Sequence, residues 1–441
     1  MVIRLHDLKK FIIMKNHEGA WKAWQKISFR VSFLFLSLTS FLTWDIIIYF
    51  ISAASDKDRF DVTILYKPLS MVFYWLDKHI YHTGYDPAIH ASFPSANHFG
   101  VVFFLTIFFL AVIASIGWSL LDKRRSNYNK LFYWFSVYLR YTLAIIITSY
   151  GIEKLIPCQM PFPGIIQIIK PYGEQTRMEV LWNFIGASPG YEIFTGGCEV
   201  TAGLLLLPRR TALLGSLFVL TILVNVVALN LFYNVGAIFF TAQWLLYTLF
   251  LIAPNLKHLF IFLFTDAPVS VYKKAFIFQT KWKKFMLAAV MVVVPLLFIL
   301  LNVSGDIKNF NDIKSDAGKE KIYDVTTFVA GDTLPPLTSD TLRWKRVMFS
   351  YGYYGNYAII YKMNDRQYWY QFDIDSNKKT LTLYDNPGKE TWKIFHCNYF
   401  SKNQLELKGK WNGKNIQVSM KLFPADSIYN LYHEKIKLIH D

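Results

Sequence analysis

Charge is scarce and cysteine nearly absent in this chain of 441 residues. Acidic and basic residues together make up only 18% of it, and Cys158, Cys198 and Cys397 stand far apart. No Cys-X-X-Cys pair, haem-attachment motif or glycine-rich phosphate loop occurs, so dithiol redox, c-type haem and phosphate cradles have no motif to stand on. What is present in excess is apolar. With 53% hydrophobic and 18% aromatic residues, the composition excludes an ordinary soluble domain and indicates a polytopic membrane protein.

Seven apolar runs can be read, at 29–50, 99–121, 131–156, 191–207, 211–231, 235–252 and 285–303. Each approaches the ~20 residues that cross a bilayer as a helix. Basic residues fill alternate loops: Lys22 and Lys26 before the first run, Lys123 to Arg125 after the second, Arg209 and Arg210 after the fourth, Lys281 and Lys283 before the seventh. This bias predicts a cytoplasmic N-terminus and a periplasmic C-terminal domain in a bacterial inner (cytoplasmic) membrane. The net charge of +16 is then topological, with some contact to anionic lipid, and does not call for nucleic acid.

The domains expected are a cytoplasmic segment 1–28, two helices with a long outer loop at 29–130, a four-helix core at 131–254, and a basic loop with a seventh helix at 255–303. A linker at 304–319 and a β-domain at 320–441 follow. In the outer loop, 69–81 reads as a short amphipathic helix with His79 and His82 on one face. The prolines of 157–190 predict an irregular loop rather than a helix, with 165–169 dipping into the membrane interface. Cys158 and Cys198 fall toward the same side, which leaves a disulfide and separate thiols equally open.

Past 320, short alternating runs separated by turns predict an antiparallel meander or small barrel. Asn412-Gly413 is its clearest hairpin signal, because a type I′ turn needs two positive φ values. The interior of such a barrel either packs its own side chains or holds an apolar ligand, and the packed interior is preferred.

Asp45, Arg140, Glu153, Lys154, Glu192 and Glu199 lie in or beside the apolar runs. An ionisable residue at membrane depth costs ~2.5–3.5 kcal/mol on insertion scales and marks a candidate site. Arg140 and Lys154 are fourteen residues apart, ~40° around a helix axis, and so share a broad face. Either could meet Glu199 of the next run, whose Gly196, Gly197 and Gly203 permit close approach. The result is an ion pair that fixes packing, or a site that handles protons or binds a ligand near the outer leaflet. Asn225, Asn230 and Gln243 are expected to hydrogen-bond between helices.

Tyr150-Gly151-Ile152-Glu153-Lys154-Leu155, followed by Glu199-Val200-Thr201-Ala202-Gly203-Leu204-Leu205-Leu206-Leu207-Pro208-Arg209-Arg210, resembles the DoxX-like membrane family over roughly 131–254. The segments Asp324-Val325-Thr326-Thr327-Phe328 and Gly331-Asp332-Thr333-Leu334-Pro335-Pro336-Leu337 are similar to the tails of long members from Bacteroidetes-type bacteria. The resemblance implies a four-helix core and an association with quinone-linked redox chemistry. Lys154 and Glu199 are candidate catalytic residues, with Glu153, Arg140, Glu192 and Tyr150 as ligand-binding candidates. The implied cofactor is a quinone, and the implied enzyme, if there is one, is a membrane oxidoreductase subunit. The implied partners are the bilayer and a periplasmic or membrane protein, not nucleic acid. Gly151-Ile152-Glu153-Lys154-Leu155 is also similar, more distantly, to the Gly-Val-Lys-Lys-Leu segment of vitamin K-dependent γ-glutamyl carboxylases, where Glu153 replaces a lysine. A Lys-based carboxylase is one alternative, and a non-enzymatic membrane scaffold with a periplasmic binding domain is the other.

Overall fold

The computed structural model describes residues 20–43, 63–84, 97–265, 280–317, 319–351, 356–384, 392–401 and 403–424. The apolar runs form α1 (Ala23–Thr43), then α2 (Thr63–Leu76), α3 (Asn97–Leu121) and α4 (Asn129–Leu155). Between α4 and the next long helix lie α5 (Ile165–Ile169) and α6 (Arg177–Gly186). Then come α7 (Pro189–Leu206), α8 (Ala212–Phe232), α9 (Ile238–Ile252), α10 (Leu256–Phe264) and α11 (Lys281–Ala317). Asp45, and residues 52–62 and 85–96 of the outer loop, lie outside the described residues.

Among the described residues, six helical stretches are long and apolar enough to cross a membrane: α1, α3, α4, α8, α9 running on through α10, and α11. The chain is a membrane protein. Of the seven expected spans, the fourth is the exception. Its helix, α7, has 18 residues but is less apolar than the other six, because Glu192, Glu199 and four glycines interrupt it.

Two compact units form: Met1–Leu155 with Phe194–Gly305, and Ile156–Ile193 with Asp306–Asp441. In the first, α4 is central. Every residue from Thr142 to Ser149 is buried, the pattern of a helix covered on all sides. Leu139, Leu143 and Ile146 of α4 share one apolar core with Ala202 and Leu206 of α7, Val219 and Leu223 of α8, and Trp244 and Tyr247 of α9. This is the expected four-helix core, and Leu36 of α1 joins it. A second cluster holds α2 against α3 through Phe73, Phe99 and Phe103.

Several local expectations are corrected. His79 and His82 do not share a helical face, because the helix ends in a wider turn at Asp77–Tyr81 and His82 is its left-handed cap, with φ of 53°. Asp77 fixes that end by accepting from the Thr83 and Gly84 amides. The 157–190 segment is not merely irregular. Thr176 and Glu179 cap each other's backbone and start α6, a reciprocal box that satisfies two otherwise unpaired amides. The stretch 304–319 is not a linker either, since α11 continues to Ala317. The rise in polarity there changes the surroundings of the helix and does not break its hydrogen bonding.

The second unit contains β1 (Lys321–Ala330), β2 (Asp332–Thr333), β3 (Trp344–Ser350), β4 (Tyr357–Lys362), β5 (Gln367–Asp375), β6 (Thr380–Tyr384), β7 (Trp392–Ser401), β8 (Gln404–Trp411) and β9 (Lys414–Leu422). Each long strand pairs antiparallel with its sequence neighbour, and β9 returns to β1 with Phe328 opposite Val418. The result is a closed eight-stranded up-and-down barrel, with β2 a short hairpin arm on β1. Closure removes both edges. Asn412 and Gly413 have φ of 47° and 77°, as the type I′ turn requires.

The outer wall of the barrel carries its own apolar patch, Ile322, Met348, Ile359 and Tyr361. Ile165, Ile166 and Ile169 of α5 cover it, so this segment packs on protein where a dip into the membrane interface was expected. Glu320 ties the two together, accepting from the Ile165 amide at 3.2 Å and from Ser350 Oγ at 2.9 Å. Burial pushes its carboxyl above the usual range. None of the three cysteines is in a disulfide.

Candidate functional site

The central helix α4 and the less apolar α7 meet through glycine. A Cβ on Gly196 would lie 2.6 Å from the Gly151 carbonyl oxygen and 2.9 Å from the Leu155 amide. A Cβ on Gly151 would lie 2.8 Å from the Gly196 oxygen. Those distances are inside van der Waals contact, so only glycine permits this backbone separation. One helical turn further along each helix, the seam carries the charges. Lys154 Nζ donates to Glu199 Oε1 at 2.5 Å, and the two residues are only 9% and 6% exposed. Lys154 is thus the partner of Glu199, as spacing allowed, and Arg140 is not.

Charges this deep need every polar atom matched. The pair is not closed: Glu199 Oε2 is buried and has no hydrogen-bond partner among the described residues. A second orphan lies in the same helix core, which Trp244 shares with Ala202 of α7. Tyr150 sits one turn before Lys154 on α4, and its ring lies 5.4 Å from that of Trp244 on α9. Trp244 is buried, and its Nε1 donor has no partner among the described residues. Buried unsatisfied groups are few in folded proteins, and each calls for a reason. Glu199 Oε2 and Trp244 Nε1 are two of the buried polar atoms of this helix core, Thr142 Oγ1 another, that have no partner among the described residues.

The other candidates lie elsewhere. Arg140 is 14 residues before Lys154, ~21 Å along the axis. Its guanidinium stacks on Tyr141 at 5.3 Å, and its Nε is a further orphan among the described residues. Glu153 is half-buried, one step round the helix from Lys154. Glu192 is fully buried and accepts from the Met160 amide at 2.9 Å, which fixes the turn after α4.

The polar residues expected between helices are partly so placed. Asn230 donates to Thr241 Oγ1 at 3.0 Å, and Gln243 donates to Thr43 Oγ1 at 3.2 Å. Asn225 is instead exposed. Sequence reasoning missed Trp244, since a tryptophan in an apolar run reads as packing. It also missed Arg30, which is buried and donates to Tyr128 Oη, Ser119 Oγ and the Asp122 carbonyl. A lone arginine inside the start of a span was the available signal.

No protein-family model matches the chain, and no solved structure does. A short stretch is similar to the uncharacterized protein YwoB of Bacillus subtilis (strain 168), 42% identical over 57 residues. The match covers 13% of this chain and 37% of that protein.

Proposed function

We propose that this chain is a membrane protein that binds the polar head of a quinone or lipid beside the Lys154–Glu199 pair, as part of a DoxX-like, redox-associated assembly. The observation that carries the reading is the buried Glu199 Oε2, an acceptor with no partner among the described residues, which a quinol hydroxyl or a lipid hydroxyl or amine would satisfy. Trp244 Nε1 supports it, because a quinone carbonyl or a lipid ester needs a buried donor and this one has no partner among the described residues. Lys154 supplies a second donor and holds Glu199 in place. A bound quinone would supply the electron chemistry, while the chain's own groups orient its head and exclude water. The contact at Gly151 and Gly196 leaves no gap for a ring between α4 and α7, so the head approaches from the side of the pair.

Alternating basic loops support the orientation proposed with it, N-terminus in the cytoplasm and barrel in the periplasm of a bacterial inner membrane. That orientation needs α7 to cross, and its 18 residues span ~27 Å.

The test is gentle purification of the wild type, Trp244→Phe and Glu199→Gln, followed by mass spectrometry of retained quinones and lipids. The reading expects a near-stoichiometric lipid or quinone on the wild type and a tenfold loss on each folded variant. A second reading is a non-enzymatic scaffold in which the pair only locks two helices, and the glycine seam favours it. It expects nothing specific to be retained by any of the three.

A further inference from the structure

The barrel is filled unevenly. At one end Trp344 lies 4.9 Å from Trp411, 5.9 Å from Phe395 and 5.9 Å from Phe328, measured between ring centres. Eight strands enclose a bore just wide enough for side chains or for one small ligand, so these rings close that end. At the end where β1 begins, Leu381, Cys397, Leu405 and Leu407 line the wall together with Phe349 and Ile374, and a cavity of about 350 Å³ remains. That is the low end of the ~300–1,000 Å³ typical of ligand sites.

Parity along β1 gives this mouth its charge. Tyr323 faces the bore. Its neighbours Ile322 and Asp324 face outward, the first under α5 and the second to Arg346 at 2.6 Å. Lys321 therefore stands on the inner face, two residues before Tyr323, and lines the cavity together with Lys319. Asp316 holds Lys319 at 2.9 Å, but Lys321 has no ion-pair partner among the described residues. Tyr351 adds a hydroxyl, and among the described residues no carboxylate lines the cavity. Burial pushes the Cys397 thiol up to about 11, so it stays protonated at neutral pH and the site binds without a thiolate nucleophile.

We propose that the mouth of the barrel binds a single acyl chain with an anionic head, the chain among Leu381, Leu405 and Leu407 and the head at Lys321. The shape admits one chain and not two. The charge prefers an anion over a neutral alcohol. Both a free fatty acid and a lysophospholipid present this chemistry.

The test uses the full chain in phosphatidylcholine nanodiscs with decanoic acid carrying a terminal diazirine. After photolysis, peptide mass spectrometry locates the adducts. Labelling is expected within 372–383 and 395–407, lowered at least tenfold by excess decanoate. Lys321→Glu, an exposed change that leaves the fold intact, should lower it about fivefold, and Leu407→Trp should abolish it by filling the space. Competition by decanoate alone assigns a free acid, and competition by lysophosphatidylglycerol as well assigns a single-chain lipid; both support the proposal. Labelling confined to the transmembrane helices overturns it. So does labelling that Lys321→Glu leaves unchanged, or that decanol competes as well as decanoate.

Discussion

Lys154 Nζ and Glu199 Oε1 lie 2.5 Å apart in a seam that glycine holds closed, and the second oxygen of the same carboxylate has no partner among the described residues. Breaking a buried pair leaves one charge uncompensated, which costs roughly 3–5 kcal/mol. Lys154→Met should therefore lower the thermal midpoint in detergent by many degrees. The double change Lys154→Met with Glu199→Leu should recover most of the loss, since two apolar side chains replace two charges. A double variant as unstable as the single one would show that the pair is not what Lys154 contributes.

Gly196→Val should separate α4 from α7. Its Cβ would meet the Gly151 carbonyl, the Lys154 Cβ and the Leu155 amide, mostly backbone that cannot rotate away. Overpacking of this kind costs ~1–3 kcal/mol. Gly197→Val is the control, because a Cβ there meets nothing within 4 Å. Equal thermal midpoints for the two variants would contradict the seam.

Lys362 makes the barrel sensitive to alkaline pH. It is buried, donates to the Leu342 carbonyl at 2.7 Å and lies 5.3 Å from the Trp411 ring. Burial lowers its pKa from 10.5 to about 8, with Asp340 opposing and Lys393 adding to the shift. Between those values the unfolded chain holds the proton and the folded barrel does not. Stability should thus rise with pH across that window, by at most ~1.4 kcal/mol per unit. Lys362→Met should stabilise the barrel at pH 7 and flatten the rise. Guanidinium unfolding followed by tryptophan fluorescence at pH 7 and 9.5 would detect both effects, and an unchanged slope would refute the assignment.

Much of this fold was legible because the signals were local. Asn412-Gly413 fixes its hairpin through backbone preference alone, and the alternation of Tyr368 to Asp373 marks β5. The Lys154–Glu199 pair was legible because two charges in apolar runs have few places to go. The failures came where composition was taken for conformation. Asp306 to Ala317 is polar yet helical, because α11 arrives already nucleated and each added residue needs only one more hydrogen bond. The prolines of 157–190 hid the Thr176–Glu179 box, whose spacing was itself readable. Trp244 and the α5 cover on the barrel depend on contacts between distant segments, which no local pattern carries.

The α5 cover gives a further expectation. Ile166→Asp places a charge against Ile322, Met348 and Ile359. Hydrogen exchange should quicken in α5 and α6 while the barrel strands stay protected. Unchanged protection of α5 would show that the apolar contact does not hold it.

The most direct measurement is a cryo-electron microscopy map of the wild-type chain in nanodiscs of native lipid. The expected result is density for a bound head with a quinol hydroxyl, or a lipid hydroxyl or amine, in hydrogen-bond reach of Glu199 Oε2, or with a quinone or lipid carbonyl in reach of Trp244 Nε1. A well-resolved map in which both atoms are satisfied by the chain's own groups, with no such density beside them, would contradict it.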